Sequence, residues 1–314
     1  MKQKLLITLS LIMYALTIVA IYKVKIYSEA DVSTINKNII INFEVTAKSC
    51  IVYDNRNNKI LYEKNAYNIM YPASITKVLT AISCLQHYPL DDYVYVTNDI
   101  ANQDGSKIYL KVGDYISIED LLYGLMLSSG NDCAQALALH YSGKMNDFIT
   151  LMNDTAKYAG AKSSLFQNPS GLDEINENKT TAYDMAMITS YALKNDIFCK
   201  IFKTKYHNIK LDDRTLCLRH KHRLIHYHPL INGGKTGYTK KAGRTLISYF
   251  KTDISEIIVV TLDAYNDWTL HENFAKVFLK EQNELYENTI VKNILNNIWN
   301  KQPFSKRLRG EIND

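Results

Sequence analysis

Two apolar runs, residues 49–53 and 59–63, flank the polar stretch Asp54-Asn55-Arg56-Asn57-Asn58. Two such runs around an Asn-rich turn read as a β-hairpin. The period then changes. Ile75, Val78, Leu79, Ile82 and Leu85 recur at three and four, which predicts a helix from Ser74 to about Gln86. Pro72 suits the entry to that helix, and Ser74 falls at or near its N-cap. A further helical pattern covers residues 118–141, broken by the turn signal Ser128-Ser129-Gly130-Asn131. Residues 144–160 and 181–193 also read as helices, the second capped by Thr180 or Thr181. Asn168-Pro169-Ser170-Gly171-Leu172-Asp173 reads as a loop, and residues 206–228 as short polar pieces rich in His. Two apolar runs, 246–250 and 257–262, flank Lys251-Thr252-Asp253 as a second hairpin. Strands at both ends with helices between them predict an α+β fold. One antiparallel sheet is built from distant segments, with flanking helices and an inserted helical layer.

The two ends of the chain carry different patterns. Lys2 and Lys4 precede an uncharged apolar run over residues 5–22, and Ser28-Glu29-Ala30 follows as a small-x-small site. That is the layout of a secretory signal, so residues 1–30 are expected to direct export, cleaved near Ala30 or retained as an N-terminal membrane anchor. Residues 31–45 form a connector, 46–280 the main domain and 281–314 a tail. Tyr286, Ile290, Val291, Ile294, Leu295, Ile298 and Trp299 give that tail an amphipathic helical stripe. Packing on the domain is its first reading, and a membrane surface its second.

Composition narrows the partners. The 314 residues carry a net charge of +5, with both signs spread along the chain, so no nucleic-acid footprint is present. Weak attraction to anionic surfaces such as lipid headgroups or wall polymers remains open. Cysteines stand at 50, 84, 133, 199 and 217, an odd number without C-x-x-C. This points to neither a zinc site nor a disulfide framework. Cys84 and Cys133 fall in apolar helical patterns and read as buried thiols.

Three short motifs carry chemistry: Ser74-x-x-Lys77, Ser129-Gly130-Asn131 and Lys235-Thr236-Gly237. A serine and a lysine three apart on a helix share a face. A lysine desolvated there can lose its proton and accept the one on serine. The helix N-terminus offers backbone N–H groups for an oxyanion. Ser129 supplies a hydroxyl and Asn131 an amide from one turn. Lys235 and Thr236, beside glycines, suit a strand edge that a carboxylate can approach. Each motif alone is weak; S-x-x-K recurs by chance about once in a chain of this length. A phosphate loop is excluded, because Pro229 stands where its first glycine is required. The three in this order form the set found in penicillin-binding proteins and class A β-lactamases.

The chain therefore resembles the low-molecular-weight penicillin-binding proteins, the D-alanyl-D-alanine carboxypeptidases of peptidase family S11. Tyr71-Pro72-Ala73-Ser74-Ile75-Thr76-Lys77 is similar to that family's P-A-S-[ML]-T-K. Leu127-Ser128-Ser129-Gly130-Asn131-Asp132 is similar to its S-G-N-D-A segment, Asn168-Pro169-Ser170-Gly171-Leu172 to its N-P-x-G-L loop, and Gly234-Lys235-Thr236-Gly237-Tyr238-Thr239 to its K-T-G-[YH]-T. The likeness spans about residues 45–265 and implies a serine β-lactamase/transpeptidase-like fold. It implies that Ser74 is the acylated nucleophile, Lys77 its base and Ser129 a proton relay. Lys235 and Thr236 would bind the substrate carboxylate, with Asn131 and Gly237 beside it. The backbone N–H groups of Ser74 and Tyr238 would hold the oxyanion. The implied substrate is a peptidoglycan stem peptide ending in D-Ala-D-Ala, with β-lactams as covalent inhibitors, no metal or cofactor, and a site of action outside the cytoplasmic membrane. Two other readings stay open: a β-lactamase, for which Glu174 and Glu177 lie in the right region, and a non-catalytic wall-binding homologue. One departure stands out. Relatives carry N-x-N-x-L-L before K-T-G, whereas this chain has Arg219-His220-Lys221-His222-Arg223-Leu224-Ile225-His226-Tyr227-His228. That segment is expected to form an exposed loop or a wall of the substrate groove.

Overall fold

The computed structural model describes residues 41–173 and 177–279. The expected signal or anchor segment (1–30), most of the connector and the amphipathic tail lie outside the described residues.

The expected first hairpin is present. β1 (Ser49–Asp54) and β2 (Lys59–Lys64) pair antiparallel around a turn that Asp54 closes by accepting from the backbone N–H groups of Arg56 and Asn57. A 3-10 turn follows at Ala73–Thr76, then α1 (Lys77–Leu85). Two three-residue strands, β3 (Tyr93–Tyr95) and β4 (Tyr115–Ser117), pair with each other and bracket the short α2 (Asn98–Ala101). α3 (Ile118–Leu127) and α4 (Asn131–Ser142) are separated by the Ser128–Gly130 break, as the pattern predicts. α5 (Met145–Tyr158) and α6 (Ala182–Ala192) complete the helical layer, with Thr181 capping α6 by accepting from the Asp184 N–H. α7 (Asp196–Lys203) leads into a hairpin of β5 (Tyr206–Lys210) and β6 (Thr215–Arg219), then the short α8 (Leu224–Tyr227). The chain ends its described part with β7 (Ile231–Thr239), β8 (Gly243–Lys251), β9 (Glu256–Leu262) and α9 (Asp267–Phe278).

The main sheet has the order β2-β1-β9-β8-β7, all neighbours antiparallel. It is therefore the sheet of distant segments that the pattern predicts. Every residue of β1 is buried, as is nearly all of β9, so both faces of the sheet are covered. α6 packs on β1 and β9, and α9 on β8 and β9. α1 lies deep in the helical layer against α3, α4, α5 and α6. The 3-10 turn before it rests on β7 and β8. β7 pairs only with β8 and leaves its other edge unpaired in this sheet, which is the edge a peptide can add to.

Three expectations change. Ser74 is not a helix cap: the helix proper starts at Lys77, and neither cap of the 3-10 turn or α1 uses a side chain. The His-rich segment is no plain exposed loop. His220 is 3% exposed and His222 is fully buried, although Lys221 between them is exposed. Residues 206–219, read as polar pieces, are a hairpin whose His207 stacks on Tyr123 and contacts Asp120 Oδ1 through Nε2 at 2.7 Å. All five cysteines are free thiols, and Cys84 and Cys133 are buried as expected.

Candidate active site

Ser74 sits in a turn held from three sides. The residue before it, Ala73, has φ +49°, a left-handed conformation rare outside glycine. Thr245 on β8 donates its hydroxyl to the Pro72 carbonyl at 2.8 Å. Gly171 packs on the Ala73 carbonyl so closely that a Cβ there would lie 1.9 Å from the oxygen. Gly237 approaches from β7, and a Cβ on it would lie 2.8 Å from the Ser74 nitrogen. Glycine is needed at both positions for backbone to meet backbone. Gly171 also has φ +85°. Gly171→Ala is expected to combine strain of about 1–3 kcal/mol with displacement of the turn. A fall in melting temperature together with slower acylation checks this; an unchanged acylation rate would show that the contact does not hold the turn.

Lys77 is fully buried, and its amine makes three contacts. It donates to Asn131 Oδ1 at 2.8 Å and to the Ser170 carbonyl at 2.6 Å, and it lies 3.0 Å from Ser74 Oγ. Burial, and after it the charge of Lys221, lowers this amine to about 7, against smaller opposing effects of Cys133 and Asp132. A neutral lysine has two N–H donors and one lone pair. The two carbonyl-type acceptors occupy the donors, so the lone pair is left for the Ser74 hydroxyl.

Ser129 and Lys235 form the second pair. Lys235 is 1% exposed and donates to Ser129 Oγ at 3.0 Å and to the Thr236 carbonyl at 2.9 Å. Burial, with Lys77 and Lys221 nearby, holds its amine well below the ordinary lysine value. Ser129 has φ +62°, backbone strain of the kind found at functional sites. Asn131 donates from Nδ2 to the Asp104 carbonyl, and its backbone N–H bonds to the Ser106 carbonyl. Asp132 accepts from the N–H groups of Ile108 and Leu110, so one helix start anchors the whole 104–110 loop. Thr236, Gly237 and Tyr238 follow Lys235 along β7, with the Tyr238 side chain 67% exposed. The structure thus places two hydrogen-bonded groups beside Gly237, Ser74 with Lys77 and Asn131, and Ser129 with Lys235, with the Lys77 amine near enough to act on that of Lys235. A cleft of about 420 Å³ opens next to it, lined by Asp104, Asn131, Asn168, Pro169, Ser170 and Leu172 among others.

Several contributors escaped the motif reading. The Ser170 carbonyl accepts from Lys77 and lies 3.4 Å from Ser74 Oγ. Asn168 holds that loop by accepting from the Ser170 and Gly171 N–H groups, and Asn178 Oδ1 accepts from the Gln167 and Asn168 N–H groups. Lys221 donates to Ser106 Oγ at 2.9 Å and so stands at the rim of the cleft. His222 backs β7: its ring lies where a Cβ on Gly234 would fall, and Nε2 contacts Ser248 Oγ at 2.9 Å. Ser248 in turn meets His271 Nδ1 at 2.7 Å, and His271 Nε2 meets Thr261 Oγ1 at 3.0 Å. Burial lowers His222 to about 3 and His271 also well below its usual value, so both rings stay neutral under the sheet.

The D-alanyl-D-alanine carboxypeptidase family of S11 peptidases matches residues 32–266, which is well over half of the chain. This chain belongs to that family. Among its relatives, D-alanyl-D-alanine carboxypeptidase DacF of Bacillus subtilis is 32% identical over 224 residues, 69% of this chain and 57% of the relative. DacC of Escherichia coli is 34% identical over 240 residues, 71% of this chain and 58% of the relative. The chain thus spans a little over half the length of these curated relatives. Among solved structures, the DD-transpeptidase of Streptomyces K15 superposes with a TM-score of 0.70 at 26% identity, covering 76% of this chain and 97% of that one. A D-alanyl-D-alanine carboxypeptidase from Mycobacterium tuberculosis gives 0.70 at 27% identity, covering 73% and 86%.

Proposed function

We propose that the protein is a serine-type D-Ala-D-Ala carboxypeptidase that removes the terminal D-alanine from peptidoglycan stem peptides. The observation that carries this reading is the three-way contact of the buried Lys77 amine, which leaves its lone pair for Ser74. Ser74 Oγ attacks the carbonyl carbon of the D-Ala-D-Ala bond as Lys77 takes its proton. The negative oxygen is held by the backbone N–H groups of Ser74 and Tyr238, beside the close approach of Gly237. The C–N bond breaks as Ser129 gives its proton to the leaving amine and takes in exchange the one Lys77 received, and D-alanine departs. Water then attacks the ester on Ser74 and releases the shortened peptide. Lys235 and Thr236 receive the terminal carboxylate, with Asn131 beside them. Lys235 is held toward its neutral form by burial and two nearby lysines, and a bound carboxylate restores its charge. β-Lactams enter by the same attack and stop at the ester. Export and action outside the cytoplasmic membrane, against a membrane surface or in the wall, follow from the signal-like residues 1–30 and from this substrate.

The β-lactamase reading needs a carboxylate that activates water. Glu177 is paired with Lys241, and Glu174 lies outside the described residues. Release of D-alanine from diacyl-Lys-D-Ala-D-Ala, measured beside hydrolysis of a penicillin, tests the proposal. D-alanine is expected to accumulate with turnover while penicillin hydrolysis stays slow. Fast penicillin hydrolysis with no D-alanine released would overturn it.

A further inference from the structure

Beside the cleft lies a second pocket, of about 330 Å³, lined by Arg219, His220, Lys221, Arg223, His226 and Tyr227. Its lining holds three cationic side chains and no carboxylate. Arg219 and Arg223 are exposed, and neither forms an ion pair among the described residues. One carboxylate, Glu272, reaches Tyr227 of the lining.

The histidines add an independent observation. Five buried side-chain atoms among the described residues lack a hydrogen-bond partner, and three are ring nitrogens of His220, His222 and His226. Such atoms cluster where a bound group or water completes the set. His220 is 3% exposed, and its Nδ1 accepts from the His222 backbone N–H at 3.0 Å. The neutral ring therefore carries its proton on Nε2, which completes no full hydrogen bond, although the Phe202 carbonyl lies near enough to act on the ring. His226 uses Nε2 toward the His220 carbonyl at 2.8 Å, which leaves Nδ1 without a partner.

We propose that this pocket binds an oxyanion, a phosphate or carboxylate group, at a site separate from Ser74 and the cleft beside it. The planar guanidinium groups of Arg219 and Arg223 match such a group in a forked arrangement, and Lys221 adds a point charge. The pocket is also coupled to the chemistry. Lys221 lines it, bonds to Ser106 at the cleft, and is the cation that helps hold Lys77 and Lys235 low. An anion against Lys221 offsets that field, so Lys77 keeps its proton to higher pH and acylation weakens at a given pH. This coupling rests on the proposed acylation of Ser74; the anion site itself does not.

Inorganic phosphate titrated into the full chain, with sodium chloride matched for ionic strength, is the test. Saturable binding by calorimetry is expected, with the acid limb of penicillin acylation moved to higher pH. The double variant Arg219→Ala/Arg223→Ala should lose at least about tenfold in phosphate affinity and keep the wild-type acylation rate in chloride. Competition by a glycerol phosphate oligomer or by a γ-glutamyl peptide then tells a phosphate source from a carboxylate source. No saturable binding, or equal binding by the double variant, overturns the site. Binding without a shifted acid limb overturns the coupling. Phosphate binding to a protein that no penicillin acylates upholds the site and defeats the function proposed above.

Discussion

Labelled penicillin is expected to acylate the wild-type chain, and Ser74→Ala to abolish the label. This is the largest effect expected of any single substitution, because the proposed ester would form on the removed oxygen. The replacement is mild for the fold. Ser74 is no helix cap, and its hydroxyl makes only a 3.4 Å contact with the Ser170 carbonyl besides the one with Lys77. Melting temperature should therefore stay near wild type while labelling vanishes. Label retained on Ser74→Ala would place the nucleophile elsewhere and remove the basis of the proposed function.

The second large effect belongs to Lys77. Lys77→Ala should slow acylation by about a hundredfold to ten-thousandfold, the usual contribution of a positioned base. The pH profile gives a separate handle on the same group. Burial and Lys221 lower the amine to about 7. Only its neutral form takes the serine proton, so acylation should climb as pH rises through about 7 and level off above it. Replacing Lys221 by Met removes the second cause and lets the Lys77 amine move back up. The climb should then shift to higher pH. A profile with no rise in that range would mean that the proton goes to another group.

Much of the site was legible because its chemistry is compressed into short runs. Ser74 and Lys77 are one turn apart, and the Ser129-Gly130-Asn131 break is both a turn signal and the location of two candidate side chains. The N-terminal hairpin and the pair 246–250 and 257–262 were legible because uninterrupted apolar runs flank polar turns. What stayed hidden depends on backbone and on distance. The Ser170 carbonyl that completes the Lys77 set is available in every residue type, so no letter marks it. The burial of His220 and His222 follows from packing of their segment against α3 and the β7–β8 pair, while the letters around them, Arg, Lys and Arg, read as solvated surface. The three-residue strands β3 and β4 are too short to show a period. α9 went unread because its buried face, with His271 bonded under the sheet, is only partly apolar.

The order of strands has a consequence for how the molecule comes into being. β1 is the second strand of the main sheet, yet its inner neighbour is β9, with Ser49 opposite Leu262. A chain still being synthesised carries an early hairpin with one edge of β1 bare until residues 256–262 emerge. β7 and β8, which fix the Ser74 turn, also appear late. The nucleophile and its lysine are thus made long before the wall that holds them. Contacts so distant along the chain close slowly. The main sheet and the wall around Ser74 are complete only once residues 231–262 have been made.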